Sequence, residues 1–129
     1  MYILDSLSPN NKEEWNVHTL FKHEALHIQY FIEFVNKSLT TVNNAGATCT
    51  PEECDGYRLE YIKNMVESYY WENISKDASL HAVDYPVNER GGWSNGAKIA
   101  MSFSTEEKLK ADKSLADWHK CINTFFQKK

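Results

Sequence analysis

The sequence contains few cysteines, prolines and glycines, and its basic residues are not clustered. Its 129 residues include three cysteines, three prolines and five glycines. These low counts exclude the disulfide-scaffold, collagen-like and low-complexity classes. Two arginines and twelve lysines are spread along the chain, and the net charge is −4. Without a clustered basic footprint we predict no nucleic-acid partner.

Long apolar runs are also absent, which bears on the membrane and on location. No run approaches the ~18 apolar residues of a membrane span, and residues 1–9 lack both parts of a secretory leader. We therefore predict no membrane partner and, with an odd number of cysteines, a reduced cytoplasmic location. Cys49 and Cys54 flank a helix start, where they are predicted to pack as thiols in a hydrophobic staple; a bond between them in an oxidising compartment is the alternative.

What the sequence does contain is helical periodicity. Its composition, 42% hydrophobic and 25% charged, fits a single helical domain over residues 1–129. Helix-start signals followed by apolar residues at a period near 3.6 predict three helices, over residues 12–41, 51–75 and 105–127. Between the last two, residues 80–87 and the alternating residues 99–103 predict a small β-hairpin, with a glycine-rich tip at residues 88–96. The predicted fold class is mainly α: a three-helix core with a hairpin or irregular insertion.

The sharpest chemical pattern is His-Glu-Ala-Leu-His at residues 23–27. Two imidazoles four residues apart share a helix face and can hold one Zn²⁺, with the glutamate beside them as a general base. The segment resembles the H-E-x-x-H motif of zincin metallopeptidases. This resemblance implies a zinc-dependent hydrolase that uses His23, Glu24 and His27, with a third ligand from Glu60, Glu67 or His81.

Helical geometry gives the same segment a structural interpretation. At 100° per residue, Glu24 falls in the middle of the apolar arc of the first helix, with His27 on its rim and His23 further out. A buried carboxylate must be paired, hydrogen-bonded or protonated. We therefore predict that Glu24 points into the core and bonds a neighbouring helix through Tyr57, Tyr61 or His119. On this interpretation the chain has no catalytic residue and no cofactor; zinc is the alternative.

Aromatic residues make up 13% of the chain and supply the candidate contact residues. Three helices cannot cover all of them, and exposed Tyr and Trp are frequent anchors of protein interfaces. Trp93, which lies between a glycine and a serine near a predicted turn, is the first candidate; the alternative is a lid folded back over the helices. The predicted partner-binding residues are Trp93, Glu89, Arg90, Trp71 and Tyr70.

These features favour a small acidic cytoplasmic protein that binds and inhibits a protein partner, of the immunity, antitoxin-like or phage counter-defence type. An acidic surface speeds the capture of a basic partner. Two alternatives stay open. One is a metal-dependent helical protein or zincin-like hydrolase built on residues 23–27, and the other is a helical module that associates with itself through exposed aromatic residues.

Overall fold

Three long helices, each antiparallel to the next, form the described part of the chain. The computed structural model describes the backbone of residues 17–127 and the side chains of residues 21–127. Helix α1 spans Val17–Ala47, α2 spans Asp55–Ala82 and α3 spans Gly91–Gln127. Short 3-10 turns precede α2 at Glu52–Cys54 and α3 at Val87–Glu89. The predicted mainly helical fold class is confirmed, and α2 and α3 are longer than predicted.

The predicted β-hairpin between the second and third helices is wrong. Residues 17–127 contain no strand: α2 continues to Ala82, and α3 begins at Gly91, inside the segment predicted as a turn. Residues 99–103 belong to α3, where Ile99, Met101 and Phe103 are all exposed. Large apolar residues at every second position are typical of a strand, but here all three are exposed side chains of a helix.

The buried face of α3 consists mostly of small residues instead, with Trp118 as the one large buried residue in the described part of the helix. Four side chains spaced seven residues apart face α2, and each is at most 6% exposed: Ala97, Ser104, Ala111 and Trp118. Ser68 and Ser104 exchange hydrogen bonds, from Ser68 Oγ to Ser104 O at 2.9 Å and from Ser104 Oγ to Ser68 O at 2.8 Å. Ser75 Oγ donates to Ala97 O at 2.7 Å. Because these side chains are small and their hydroxyls have backbone acceptors, the two helices pack closely without unpaired buried serines.

A disulfide closes the end of this hairpin that lies away from the α2–α3 connection. Cys54 is bonded to Cys121, with the Cα atoms 5.7 Å apart, and Cys49 is free and exposed. The predicted staple between Cys49 and Cys54 is wrong, because the start of α2 presents Cys54 to the end of α3. At the same end, Ala45 of α1 packs with Cys54 and Trp118 in an apolar cluster that joins the three helices.

Helix α1 packs on α2 through its polar side and leaves its apolar side in solvent. Lys37 Nζ lies 2.9 Å from Glu72 Oε1, and Lys76 Nζ lies 3.2 Å from Glu33 Oε2. The apolar side carries five large residues that are at least half exposed, Phe21, Ile28, Phe31, Ile32 and Leu39. The apolar arc of the first helix therefore exists as predicted but faces away from the bundle. No helix in the described part of the chain combines the length and the apolar character needed to cross a membrane.

Candidate functional site

Two histidines of α1, two residues of α2 and one residue in the turn just after α2 meet near the α2–α3 connection. His23 and His27 lie one turn apart on α1, and their ring centroids are 5.1 Å from each other. Asp77 and His81 are four residues apart on the face of α2 that α1 covers, and Asp84 follows in the turn after α2, within reach of His23. We call these five residues the histidine cluster: His23, His27, Asp77, His81 and Asp84.

Each carboxylate in the histidine cluster neighbours at least one imidazole. His27 Nδ1 donates to Asp77 Oδ1 at 2.9 Å. Asp84 lies between the other two rings, with Oδ1 3.5 Å from His23 Nε2 and Oδ2 3.6 Å from His81 Nδ1. The rings of His27 and His81 are also adjacent, with centroids 4.6 Å apart. The cluster therefore places three imidazoles against two carboxylates at the junction of α1 and α2.

The predicted burial of Glu24 is wrong. Glu24 is exposed, whereas His23 is 6% exposed. The apolar arc that carries Glu24 faces solvent, so the acid on it is hydrated, and the histidine side turns to α2. Two of the predicted partners, Tyr61 and His119, lie at the opposite end of the bundle beside Trp118.

The zincin-like arrangement requires that both histidines and the glutamate face one cleft. Here the histidines face α2, and Glu24 faces solvent. Of the predicted third ligands, His81 adjoins the pair, whereas Glu60 and Glu67 lie ~20 Å or more from it along α2, at 1.5 Å per residue. Within residues 17–127, no group of three or more His, Cys, Asp or Glu side chains is arranged to hold a metal ion.

Burial controls the protonation of His23. Desolvation lowers the pKa of His23 below its ordinary value, the nearby Asp84 carboxylate opposes this shift, and His27 and His81 add to it. His23 is therefore neutral at pH 7. A neutral imidazole at this position lets α1 lie against α2 without burying a net positive charge.

We expect the free energy of unfolding to fall as the pH drops below about 6.5. An unfolded histidine takes up a proton near pH 6.5, whereas folded His23 resists protonation until a lower pH. The unfolded state then binds more protons, so stability present above pH 6.5 is lost as the pH falls through the folded pKa. Urea unfolding at a series of pH values measures the slope. His23→Gln should flatten it and His119→Gln, at an exposed site, should not; an unchanged slope in His23→Gln would contradict this assignment.

A second surface adjoins the histidine cluster at the end of the bundle. The Trp93 ring packs against His81 and Tyr85, with centroids 4.9 Å and 6.0 Å away. Trp93, Tyr85 and Val87 expose 37%, 40% and 77% of their surfaces. Arg90 Nε donates to Tyr85 O at 2.8 Å, which ties the connection to the start of α3. We define the tip surface as the exposed residues here: Tyr85, Val87, Glu89 and Trp93.

The structure divides the predicted partner-binding residues between two places. Trp93 lies in the first turn of α3 rather than at a hairpin tip, close to Glu89 and Arg90. Tyr70 and Trp71 lie about 15 Å from the tip surface along α2. They form an aromatic belt across the three helices, in which successive ring centroids are 5.0–6.2 Å apart: Phe34, Tyr70, Trp71 and Phe103.

Sequence reasoning missed the two aspartates of the histidine cluster. Residues 77, 81 and 84 have the spacing of one helix face, so the signal was present. It was hidden because residues 80–87 were predicted as a strand. Extending the second helix by two turns would have placed these residues beside the histidines of α1.

Comparisons with known proteins give no match: no family model, no curated protein and no solved structure matches this chain. The functional argument therefore rests on the contacts, exposure and charge of the residues themselves.

Proposed function

We propose that the chain binds and blocks a protein partner, in the manner of an immunity, antitoxin-like or phage counter-defence protein, and that the tip surface makes the contact. The observation that carries this proposal is the exposed ring of Trp93, packed against Tyr85 and His81 at the end of the bundle. A tryptophan already held by neighbouring rings loses little side-chain freedom on binding. Such preorganised aromatic residues are frequent hot spots of protein interfaces.

The charge around the tip surface favours a basic partner. Asp84 lies just before Tyr85, Glu89 is exposed nearby, and Asp77 lies two turns earlier, on α2; Arg90 adds one positive charge, so acidic side chains are in excess. The whole chain carries a net charge of −4. Attraction between this surface and a basic partner would raise the association rate more than the affinity, and added salt would reduce it.

The proposed location is the cytoplasm, as the sequence predicts, and the cysteines provide its test. Disulfides form and persist mainly in oxidising compartments. Lysis of the cells directly into denaturant with an alkylating agent should label Cys49 together with Cys54 and Cys121 if the location is cytoplasmic; the denaturant is needed because Cys54 is 0% exposed. Labelling of Cys49 alone would instead assign the chain to an oxidising compartment.

A photo-crosslinking amino acid at Val87 tests the proposed contact. Val87, a member of the tip surface, is 77% exposed, and Leu109 on α3, at 64%, is a matched control far from it. We expect one discrete crosslinked protein from position 87 and none from position 109. Trp93→Ala in the same background should remove the product by weakening binding about tenfold or more.

The captured partner then decides whether binding is inhibitory. We expect the activity of the purified partner to fall when the wild-type chain is added and to be spared by Trp93→Ala. Equal crosslinking from positions 87 and 109, or a partner that keeps full activity when saturated with the chain, would contradict the proposal.

The histidine cluster favours a second candidate, metal binding. Three imidazoles lie with adjacent ring centroids 4.6 and 5.1 Å apart, next to the Asp84 carboxylate, and nitrogen donors with one carboxylate suit Zn²⁺. Changes of rotamer would be needed before these donors could converge. Calorimetric titration with zinc tests this candidate. Binding at one equivalent that is lost in both His23→Ala and His27→Ala supports it, and no binding removes it.

A further inference from the structure

The exposed side of α1 carries an apolar stripe with a heptad repeat. Residues that alternate by four and three positions all lie on the side away from α2; together they form the outer stripe, Phe21, Ala25, Ile28, Ile32, Val35, Leu39, Val42 and Gly46. This 4-3 spacing is the pattern by which one helix packs along another in a coiled coil. The stripe extends ~38 Å along the axis at 1.5 Å per residue.

The outer stripe exposes as much apolar surface as the largest patch of a typical monomer. Five of its large members expose 42–62% of their surfaces, Val35 exposes an intermediate share, and Phe31 on its edge exposes 57%. Taking roughly 200 Å² for a whole large apolar side chain, these residues expose about 600 Å² together. The largest apolar patch of a typical monomer covers ~300–600 Å², so the outer stripe lies at the upper end of that range and supplies about three quarters of the ~800 Å² that each partner contributes to a standard interface.

Charged residues are absent from the outer stripe and from most of its borders. Lys22 and Glu24 flank its first members; between positions 25 and 46 the only charged residues are Glu33 and Lys37, and both pair with α2. The borders instead carry neutral amides, at Gln29, Asn36 and Asn43. A helix that lies on a lipid surface has lysine or arginine on its polar face, and the polar face of α1 is covered by α2. A helix that meets its own copy must avoid like charges across the seam.

We propose that the outer stripe pairs with the outer stripe of a second copy of this chain, with the two α1 helices antiparallel. The two-fold axis then passes between residues 33 and 34, so that Phe21 faces Gly46 of the copy and Ala25 faces Val42. Large residues are thereby matched with small ones at both ends. This inference does not depend on the proposed function, because the tip surface lies outside the outer stripe.

The parallel arrangement fits the same residues poorly. In register, Phe21 would face Phe21 and Gly46 would face Gly46, which crowds one end and leaves a gap at the other. In the antiparallel arrangement the two middle layers bring Ile28 to Leu39 and Ile32 to Val35, pairs of similar volume. The antiparallel helix dipoles also oppose each other favourably.

The mass of the full chain in solution tests the pairing. Sedimentation equilibrium across a dilution series should show a monomer–dimer equilibrium for the wild type. Ile32→Glu places a charge next to the two-fold axis in both copies and should raise the dissociation constant more than about a hundredfold. Ile32 is 50% exposed, so the monomer itself should keep its helical circular dichroism; Leu109→Glu, at a residue 64% exposed on α3, is the matched control and should still dimerise.

Disulfide trapping tests the orientation. In a Cys49→Ser background, Ile28→Cys and Leu39→Cys chains should cross-link when mixed. Each variant alone should not, because antiparallel packing separates position 28 from its own copy by ~16 Å along the axis. Efficient cross-linking of Ile28→Cys with itself would overturn the antiparallel assignment.

Three results would overturn the pairing as a whole. The first is a monomeric wild type at all concentrations, and the second is a dimer that Ile32→Glu leaves intact. The third is a chain that dimerises only after residues 1–16 are removed, which would assign the outer stripe to that segment instead of a second copy.

Discussion

Reduction of the Cys54–Cys121 disulfide should lower the free energy of unfolding by about 2–4 kcal/mol. The bond joins residues 67 apart in sequence, and closing a loop of that length restricts the unfolded chain by up to ~4 kcal/mol in the chain-entropy model. The expected loss is a large fraction of the ~5–15 kcal/mol that stabilises a typical domain. Urea unfolding with and without a reductant measures it.

The three cysteines supply their own controls for this experiment. Cys121→Ser should reproduce the effect of the reductant and should no longer respond to it. Cys49→Ser should leave the stability unchanged within about 0.5 kcal/mol, because Cys49 is exposed and unbonded. A reductant that lowers the stability of Cys121→Ser as much as that of the wild type would contradict the assigned pairing.

The sequence predicted the helices better than it predicted which sides of them are buried. Start signals and periodicity located three helices, because these depend on local interactions. The apolar arc of α1 was also correct as a pattern, but the inference that an apolar arc faces the core failed. It failed because the face of α2 that α1 covers carries acidic side chains. Glu72 pairs there with Lys37 of α1, and Asp77 pairs with His27.

The start of α3 was not predictable from apolar periodicity, since its core positions are not large apolar residues. Ala97, Ala100 and Ser104 are buried because the α2–α3 approach is close, and the neighbouring Ile99 and Met101 stay outside. The burial of these α3 residues depends on a fit between two helices, because Ser68 and Ser75 on α2 donate hydrogen bonds to the backbone of α3. A single segment does not contain that fit, so glycines and alternating apolar residues led to a strand instead.

The difference between local patterns and contacts across helices also explains which candidate residues the sequence could identify. His23, His27 and Trp93 were recognisable by residue type and spacing alone. The role of Glu24 depended on which side of α1 meets α2, and it was therefore wrong. The proximity of Trp93 to His81 depends on α3 starting at Gly91, a boundary that the turn signals concealed.

Replacing Trp118 by alanine should lower the free energy of unfolding by about 3–5 kcal/mol, the largest single effect expected in this chain. Trp118 is 3% exposed, packs with Ala45 and Cys54, and donates from Nε1 to Thr50 Oγ1 at 3.2 Å. Its removal leaves a cavity where the three helices meet. Trp93→Ala is the matched control, since Trp93 is 37% exposed and should lose roughly 1 kcal/mol. Equal losses in the two variants, measured by urea unfolding, would contradict this placement of the core.

Combining Trp118→Ala with reduction of the disulfide separates two explanations of stability at this end of the bundle. A disulfide that acts by restricting the unfolded chain contributes the same free energy whether or not Trp118 is present. A disulfide that acts by holding α3 against the apolar cluster contributes less once the cluster has lost its largest member. Because Cys54 and Trp118 pack in one cluster, we expect the second, with a coupling of about 0.5 kcal/mol or more. Losses that add within a few tenths of a kcal/mol would instead show that the disulfide acts on the unfolded chain alone.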